Sequence, residues 1–283
     1  MKVLIAMLAS TLLLALAGCA ALNPHGSGNH TGSVVDYLYP DAKEAPQMQL
    51  STTTLRPPVR VGIVFVPGGG WNIGLPETDK EKLLERVKAS FTNIPYIGSI
   101  EVIPSQYLRP RGGFANLEQV ARMFGIDIVV LLSYDQVQFS DSNMLSVLYW
   151  TIVGAYVIHG DQYDIQTMLD ASVFDVQSHK LLFRAPGLSR VKGSATSANF
   201  SEQARAGRLE GYNKAMEALI PQLHAELEKF KARLKTDINT KKAASGYRIE
   251  NRPGYSGGGD FGWLSLPLAL ALGGAAYAAR RKP

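Results

Sequence analysis

The chain has 283 residues, 46% of them hydrophobic and 19% charged, which is the make-up of a folded protein and excludes a disordered acidic chain. Its formal net charge of +5 falls mostly on the ends, at Lys2 and Arg280-Arg281-Lys282; what lies between is close to neutral and carries neither a basic stripe nor an RNA-binding motif, so nucleic acid is not an expected partner. The single cysteine, Cys19, excludes an internal disulfide and a thiolate zinc site.

The first 18 residues read as an export signal. Lys2 gives a positive start, and Val3 to Leu16 is an uncharged apolar run, short for a membrane span and suited to a signal-peptide core. It ends in Leu16-Ala17-Gly18-Cys19. This stretch resembles the lipobox of bacterial lipoproteins. The resemblance implies a diacylglyceryl group on the Cys19 thiol, cleavage between Gly18 and Cys19, and further acylation, with palmitate for example, of the new terminal amine. Several acyl chains, each worth about 0.8 kcal/mol per buried methylene, make a stable anchor. Ala20 in place of an acidic residue implies onward sorting to the outer membrane. The other reading is an ordinary secretory signal cut near Ala15-Leu16-Ala17.

Residues 19–58 are rich in Gly, Ser, Thr, Asn and Pro and read as a flexible leader that holds the following domain off the bilayer. A folded domain is expected over 59–235. Val59 to Val66 is a nearly continuous apolar run, as a buried strand would be. Pro67-Gly68-Gly69-Gly70 break it. Thr78 or Asp79 caps a helix through Phe91 that places Leu83, Leu84, Val87 and Phe91 on one face. Ile97 to Ile103 is a second strand. Asn116 caps a helix over Leu117–Phe124 that Gly125 ends. Ile126 to Tyr134 is a third buried strand. Asp170 to Val176 and Leu181 to Ala185 form a hairpin around Gln177-Ser178-His179-Lys180. Ser201 to Lys235 is a long helix with Leu209, Tyr212, Met216, Leu219, Ile220, Leu223 and Leu227 at helical spacing. The order β-α-β-α-β-β-β-α predicts an α/β (α+β) domain, a mixed sheet with packed helices. It resembles periplasmic lipoprotein domains of the curli-secretion-channel and Tol-associated type, a likeness of fold that implies no activity.

Met144 to His159 is apolar over 16 residues between Asp141 and Asp161. It reads as a buried strand or core helix, or else as a docking surface for lipid or a partner subunit, with a pore strand as a further reading. Gly68-Gly69-Gly70 after a strand invites comparison with a phosphate loop but lacks the GxGxxG register and the Gly-Lys-Ser/Thr ending. His25, His30, His159, His179 and His224 are scattered and form no HExxH. No Gly-x-Ser-x-Gly elbow is present. Asp161, Asp164 and Asp170 do not have calcium-loop spacing. Arg109, Arg111, Arg205 and Arg208 read as surface or helix-end charges. No catalytic residue, metal ligand or cofactor is expected.

Residues 236–260 read as a linker that carries Gly257-Gly258-Gly259. Phe261 to Ala279 follows, 19 residues without a charge. As a helix it would cover about 28 Å, enough for a hydrocarbon core. Trp263 and Tyr277 sit near its ends, and Arg280-Arg281-Lys282 would hold the tail at 280–283 in the cytoplasm. The order of glycine run, apolar span and basic end resembles the GlyGly-CTERM sorting signal. That resemblance implies cleavage at Gly257, Gly258 or Gly259 by rhombosortase, a rhomboid-family intramembrane protease. Glycines weaken a helix by about 1 kcal/mol each, and Pro267 removes a backbone donor, so the span is easily unwound for attack. A permanent C-terminal anchor is the other reading.

With both signals the chain resembles the rhombotarget lipoproteins. The expectation is an envelope lipoprotein that passes through the inner membrane and then resides at the outer membrane or cell surface. Its partners would be membrane lipid, the lipoprotein-processing enzymes, rhombosortase, and an envelope protein or further copies of itself. The domain reads as a binding or assembly module, not an enzyme. The alternatives are an envelope hydrolase with an unrecognised site and an oligomeric secretion component.

Overall fold

A computed structural model describes residues 25–31, 33–40, 52–68, 75–142, 161–196, 198–239 and 246–255. In chain order these form β1 (His25–His30), α1 (Val34–Leu38), β2 (Thr53–Leu55), β3 (Val59–Phe65), α2 (Glu77–Phe91), β4 (Ile97–Val102), a 3-10 turn (Ser105–Tyr107), α3 (Gly113–Phe124), β5 (Ile128–Ser142), β6 (Asp161–Asp175), β7 (Leu181–Ala195), α4 (Phe200–Asn239) and β8 (Tyr247–Ile249). The main sheet has the order β4-β3-β5-β6-β7, with β1 paired to β5. β3 runs parallel to β4 and to β5, from Val61↔Ile128 to Phe65↔Leu132. β1 pairs antiparallel with the later part of β5, from His30↔Asp135 to His25↔Ser140. The sheet is therefore mixed, and helices pack on it, as the element order predicted.

By its contacts the chain divides into two compact units. Among the described residues the first holds 25–30, 134–142, 161–169, 187–196 and 198–218, and the second holds 31–133, 170–186 and 219–255. β5, β6, β7 and α4 each contribute one part to each unit.

Several boundaries differ from expectation, each for a physical reason. The leader over 19–58 was expected to lack structure, yet it supplies β1, α1 and β2. Ser33 caps α1 by accepting the Val35 N–H at 3.2 Å, and Tyr37 and Leu38 are buried. A five-residue helix is too short to show an apolar period. The linker over 236–260 likewise holds β8, which pairs in parallel with β2 from Thr53↔Tyr247 to Leu55↔Ile249. α2 starts at Glu77 behind Pro76, so Thr78 and Asp79 lie in its first turn and do not cap it. The Glu77 carboxylate instead accepts the Ser105 N–H (2.8 Å) and hydroxyl (2.7 Å). α3 starts at Gly113, three residues ahead of Asn116. Asn116 Oδ1 accepts the Arg109 N–H (2.8 Å) and the Tyr37 hydroxyl (3.2 Å), clasping the preceding loop where a cap was expected. Gly125 ends α3 in the left-handed conformation at φ 65°, as its position implies. Leu209, placed by spacing on the buried face of α4, is 41% exposed.

In the second unit the sheet has two unlike faces. Strand alternation sends Val64, Val66, Val129 and Leu131 to one side, where each is 0% exposed against α1 and α3. Packing there is so close that a Cβ on Gly62 would lie 2.4 Å from Ile126 Cδ1 and 2.8 Å from Ile103 Cδ1. Val59, Val61, Ile128 and Val130 point to the other side, toward α2 and the later part of α4, and keep 8–9% exposure. This face borders an apolar cavity that opens partly to the surface.

Candidate functional site

That cavity measures about 120 Å³ and belongs wholly to the second unit. Val61 and Ile63 of β3 and Val130 of β5 form its floor; Phe91 of α2 and Leu223 and Phe230 of α4 form its roof. No polar atom of the described residues faces it. Its lining continues outward to half-buried Tyr96, Ile100 and Ile249. The lysines beside it, Lys88 and Lys231, contribute methylenes while their amines reach carboxylates: Lys88 to Glu85 at 3.4 Å and Lys231 to Glu228 at 2.9 Å.

A second, polar cleft of about 510 Å³ opens at the amino ends of β3 and β5. Its centre is Asp127. Arg60 donates its backbone N–H (3.0 Å) and Nε (3.2 Å) to Asp127 Oδ2 and its Nη2 to Oδ1 (2.9 Å), and Arg252 donates to Oδ2 at 2.6 Å. Burial by itself would raise the pKa of Asp127. The hydrogen bonds from Arg60 and the charges of Arg60 and Arg252 outweigh burial and hold the carboxyl below its ordinary range. At the cleft Arg56 also pairs with Glu250 (3.4 Å) and Arg122 with Glu118 (3.7 Å), while Asp175 accepts the Ser178 N–H (2.8 Å) and hydroxyl (2.6 Å). This is the end opposite to the carboxyl ends of parallel strands, where open sheets usually place ligands. At the carboxyl end of β3 the chain is described through Gly68; Gly69 and Gly70 lie outside the described residues.

The residues singled out by sequence do not converge. His179 Nε2 meets Glu118 Oε1 at 2.8 Å and its ring stacks on Phe114 at 4.0 Å. The adjacent Ser178 hydroxyl bonds Asp175 (2.6 Å) and Thr53 (2.9 Å), which fixes the β6–β7 turn. His224 stacks on Phe91 at 4.0 Å. Asp164 pairs with Arg190 and Asp170 with Arg184 (2.5 Å), each a bridge between β6 and β7. Among the described residues, no group of three or more His, Cys, Asp or Glu is placed to hold a metal ion. Arg208 is not merely a surface charge: its guanidinium donates to Gln138 Oε1 at 2.7 Å. Gly18, Cys19, Met144–His159, Gly257, Gly258, Gly259 and Phe261–Ala279 lie outside the described residues. No helix among the described residues is long and apolar enough to cross a membrane.

The first unit contains a polar core that sequence reasoning missed. Gln136, 1% exposed, donates its amide to Thr167 Oγ1 (2.7 Å) and to the Arg208 carbonyl (3.0 Å). Gln136 Oε1 and the Tyr212 hydroxyl have no hydrogen-bond partner among the described residues, and burial raises the Tyr212 pKa.

No family model matches the chain, and no curated protein matches it. Solved structures do show similarity. A PelC dodecamer from Paraburkholderia phytofirmans is 9% identical, with 70% of this chain and 97% of that one covered at a TM-score of 0.28. A Helicobacter pylori protein described as a neuraminyllactose-binding hemagglutinin homologue is 9% identical, with coverage of 68% and 97% and a TM-score of 0.38. The lipoprotein GNA1162 from Neisseria meningitidis is 13% identical, with coverage of 52% and 94% and a TM-score of 0.25. At these scores the similarities carry no argument, and the α+β class rests on the chain's own mixed sheet.

Proposed function

We propose that this protein is an exported bacterial lipoprotein, held in the envelope by acyl groups on Cys19, whose folded part is a binding or assembly module. The anchoring rests on the place of the only cysteine, directly after Leu16-Ala17-Gly18. The observation that carries binding over catalysis is the state of Asp127. A carboxylate clamped by two arginines and held ionised braces a fold; an acid or base for catalysis near neutrality needs its pKa moved toward neutrality. Glu118, Asp164 and Asp170 are likewise engaged by His179, Arg190 and Arg184. In the same reading the segment past Gly257-Gly258-Gly259 is a temporary anchor that rhombosortase removes, which frees the lipoprotein for the outer membrane or the surface.

The test is intact mass spectrometry of protein from cell envelopes. The expected species starts at an acylated Cys19 and ends within 257–259. A species with unmodified Cys19 that retains Phe261–Pro283 would overturn the reading.

A further inference from the structure

We infer that the apolar cavity of the second unit is a binding site for a compact hydrocarbon group, about the size of one benzene ring. This inference does not depend on the anchoring. It rests on the contrast between the two faces of one sheet. The face bearing Val64, Val66, Val129 and Leu131 is sealed, and Gly62 lacks room even for a methyl group. The face bearing Val61, Ile63 and Val130 leaves about 120 Å³ unfilled.

The chemistry of the wall selects the occupant. With no polar atom of a described residue facing inward, the cavity offers water no hydrogen bond, so water there is readily displaced by an apolar group. An engineered apolar cavity of about 150 Å³ holds benzene or xenon, so a void of similar size takes a single ring or an equally compact branched alkyl group. A hydroxyl or charge carried in would lose its hydration without replacement. Half-buried Tyr96, Ile100 and Ile249 bring the lining to the surface and provide a way in.

The test is methyl-labelled NMR on the full chain in detergent, with toluene as the probe. Toluene is expected to give nuclear Overhauser contacts to the methyls of Val61, Val130 and Leu223 and none to those of Val64, Val129 and Leu131. The sealed face controls for detergent partitioning. Phenol is expected to bind at least tenfold more weakly than toluene. Val130→Phe, which fills the void, is expected to abolish the contacts to Leu223; if that variant does not fold, Val61→Leu is expected to weaken binding at least severalfold. Contacts on neither face or equally on both, phenol binding as tight as toluene, or undiminished contacts in a folded filled variant would overturn the inference.

Discussion

Gly62 lies on β3 with the methyl ends of Ile103 and Ile126 over its α-carbon. Gly62→Ala would force both isoleucines aside, and overpacking of this kind costs about 1–3 kcal/mol. On the neighbouring strand β5 and the opposite face, Val130 borders the cavity, so Val130→Ile adds a methylene where there is space and is expected to be neutral or mildly stabilising. Urea denaturation of the two variants would check the opposite signs. Asp127 makes a second prediction. Its pKa is lowered in the fold from the ordinary 3.8, so its stabilising contribution is fully present above that value and is lost as pH falls through the lower folded value. Glu77 and Asp164 are shifted in the same direction. Asp127→Asn is expected to lower stability at neutral pH and to flatten its fall in acid, measured by urea midpoints across the acid range. A variant whose acid slope equals that of the parent would deny the ion cluster its bracing role.

Elements were legible where one face or both faces are apolar. β3 reads directly from its sequence because it is interior to a parallel set and buried on both sides, and the stop of α3 reads from Gly125. The second half of β5 did not read. From Asp135 onward its buried positions are Gln136 and Gln138 while Phe139 faces outward, so counting apolar residues ends the strand at Tyr134, well short of Ser142. Partners made those glutamines acceptable in a core: Thr167 and the Arg208 carbonyl for one, the Arg208 guanidinium for the other. No pattern within one strand announces such partners. α4 closes tightly on this core at Gly211, where a Cβ would lie 2.6 Å from Thr167 Oγ1 and 3.2 Å from Gln136 Nε2. Helix propensity alone predicts that Gly211→Ala stabilises by about 1 kcal/mol. The clash is with a short side chain on a strand, so destabilisation of about 1–3 kcal/mol is expected instead. The sign of that change, read from thermal or urea unfolding, decides whether packing or propensity governs this part of α4.

At the scale of the molecule, the mixed sheet with packed helices was legible from the order of elements, and the candidate site was not. A cavity arises from the mismatch of elements far apart in the chain over one sheet face, and no local sequence feature encodes a missing volume. The proposed targeting signals are the reverse case, since they lie outside the described residues and are legible only as linear strings. A Cys19→Ser variant exported with an ordinary cleavable secretory signal in place of residues 1–18, once cut at the glycines, is expected to leave the membrane fraction entirely. Continued membrane association of that processed variant, followed by immunoblotting of fractions, would show that something other than acyl chains holds it.

The early start of β1 has a consequence for how such a protein would stand in its surroundings. Only six residues step from Cys19 to His25, where pairing with Ser140 begins. Fully stretched, they reach about 20 Å, roughly half the thickness of a bilayer with its headgroups. With acyl chains on Cys19, the end of β5 near Ser140 would ride against the headgroups, moored on a short line, and the mooring would dictate which flank the protein turns toward the lipid.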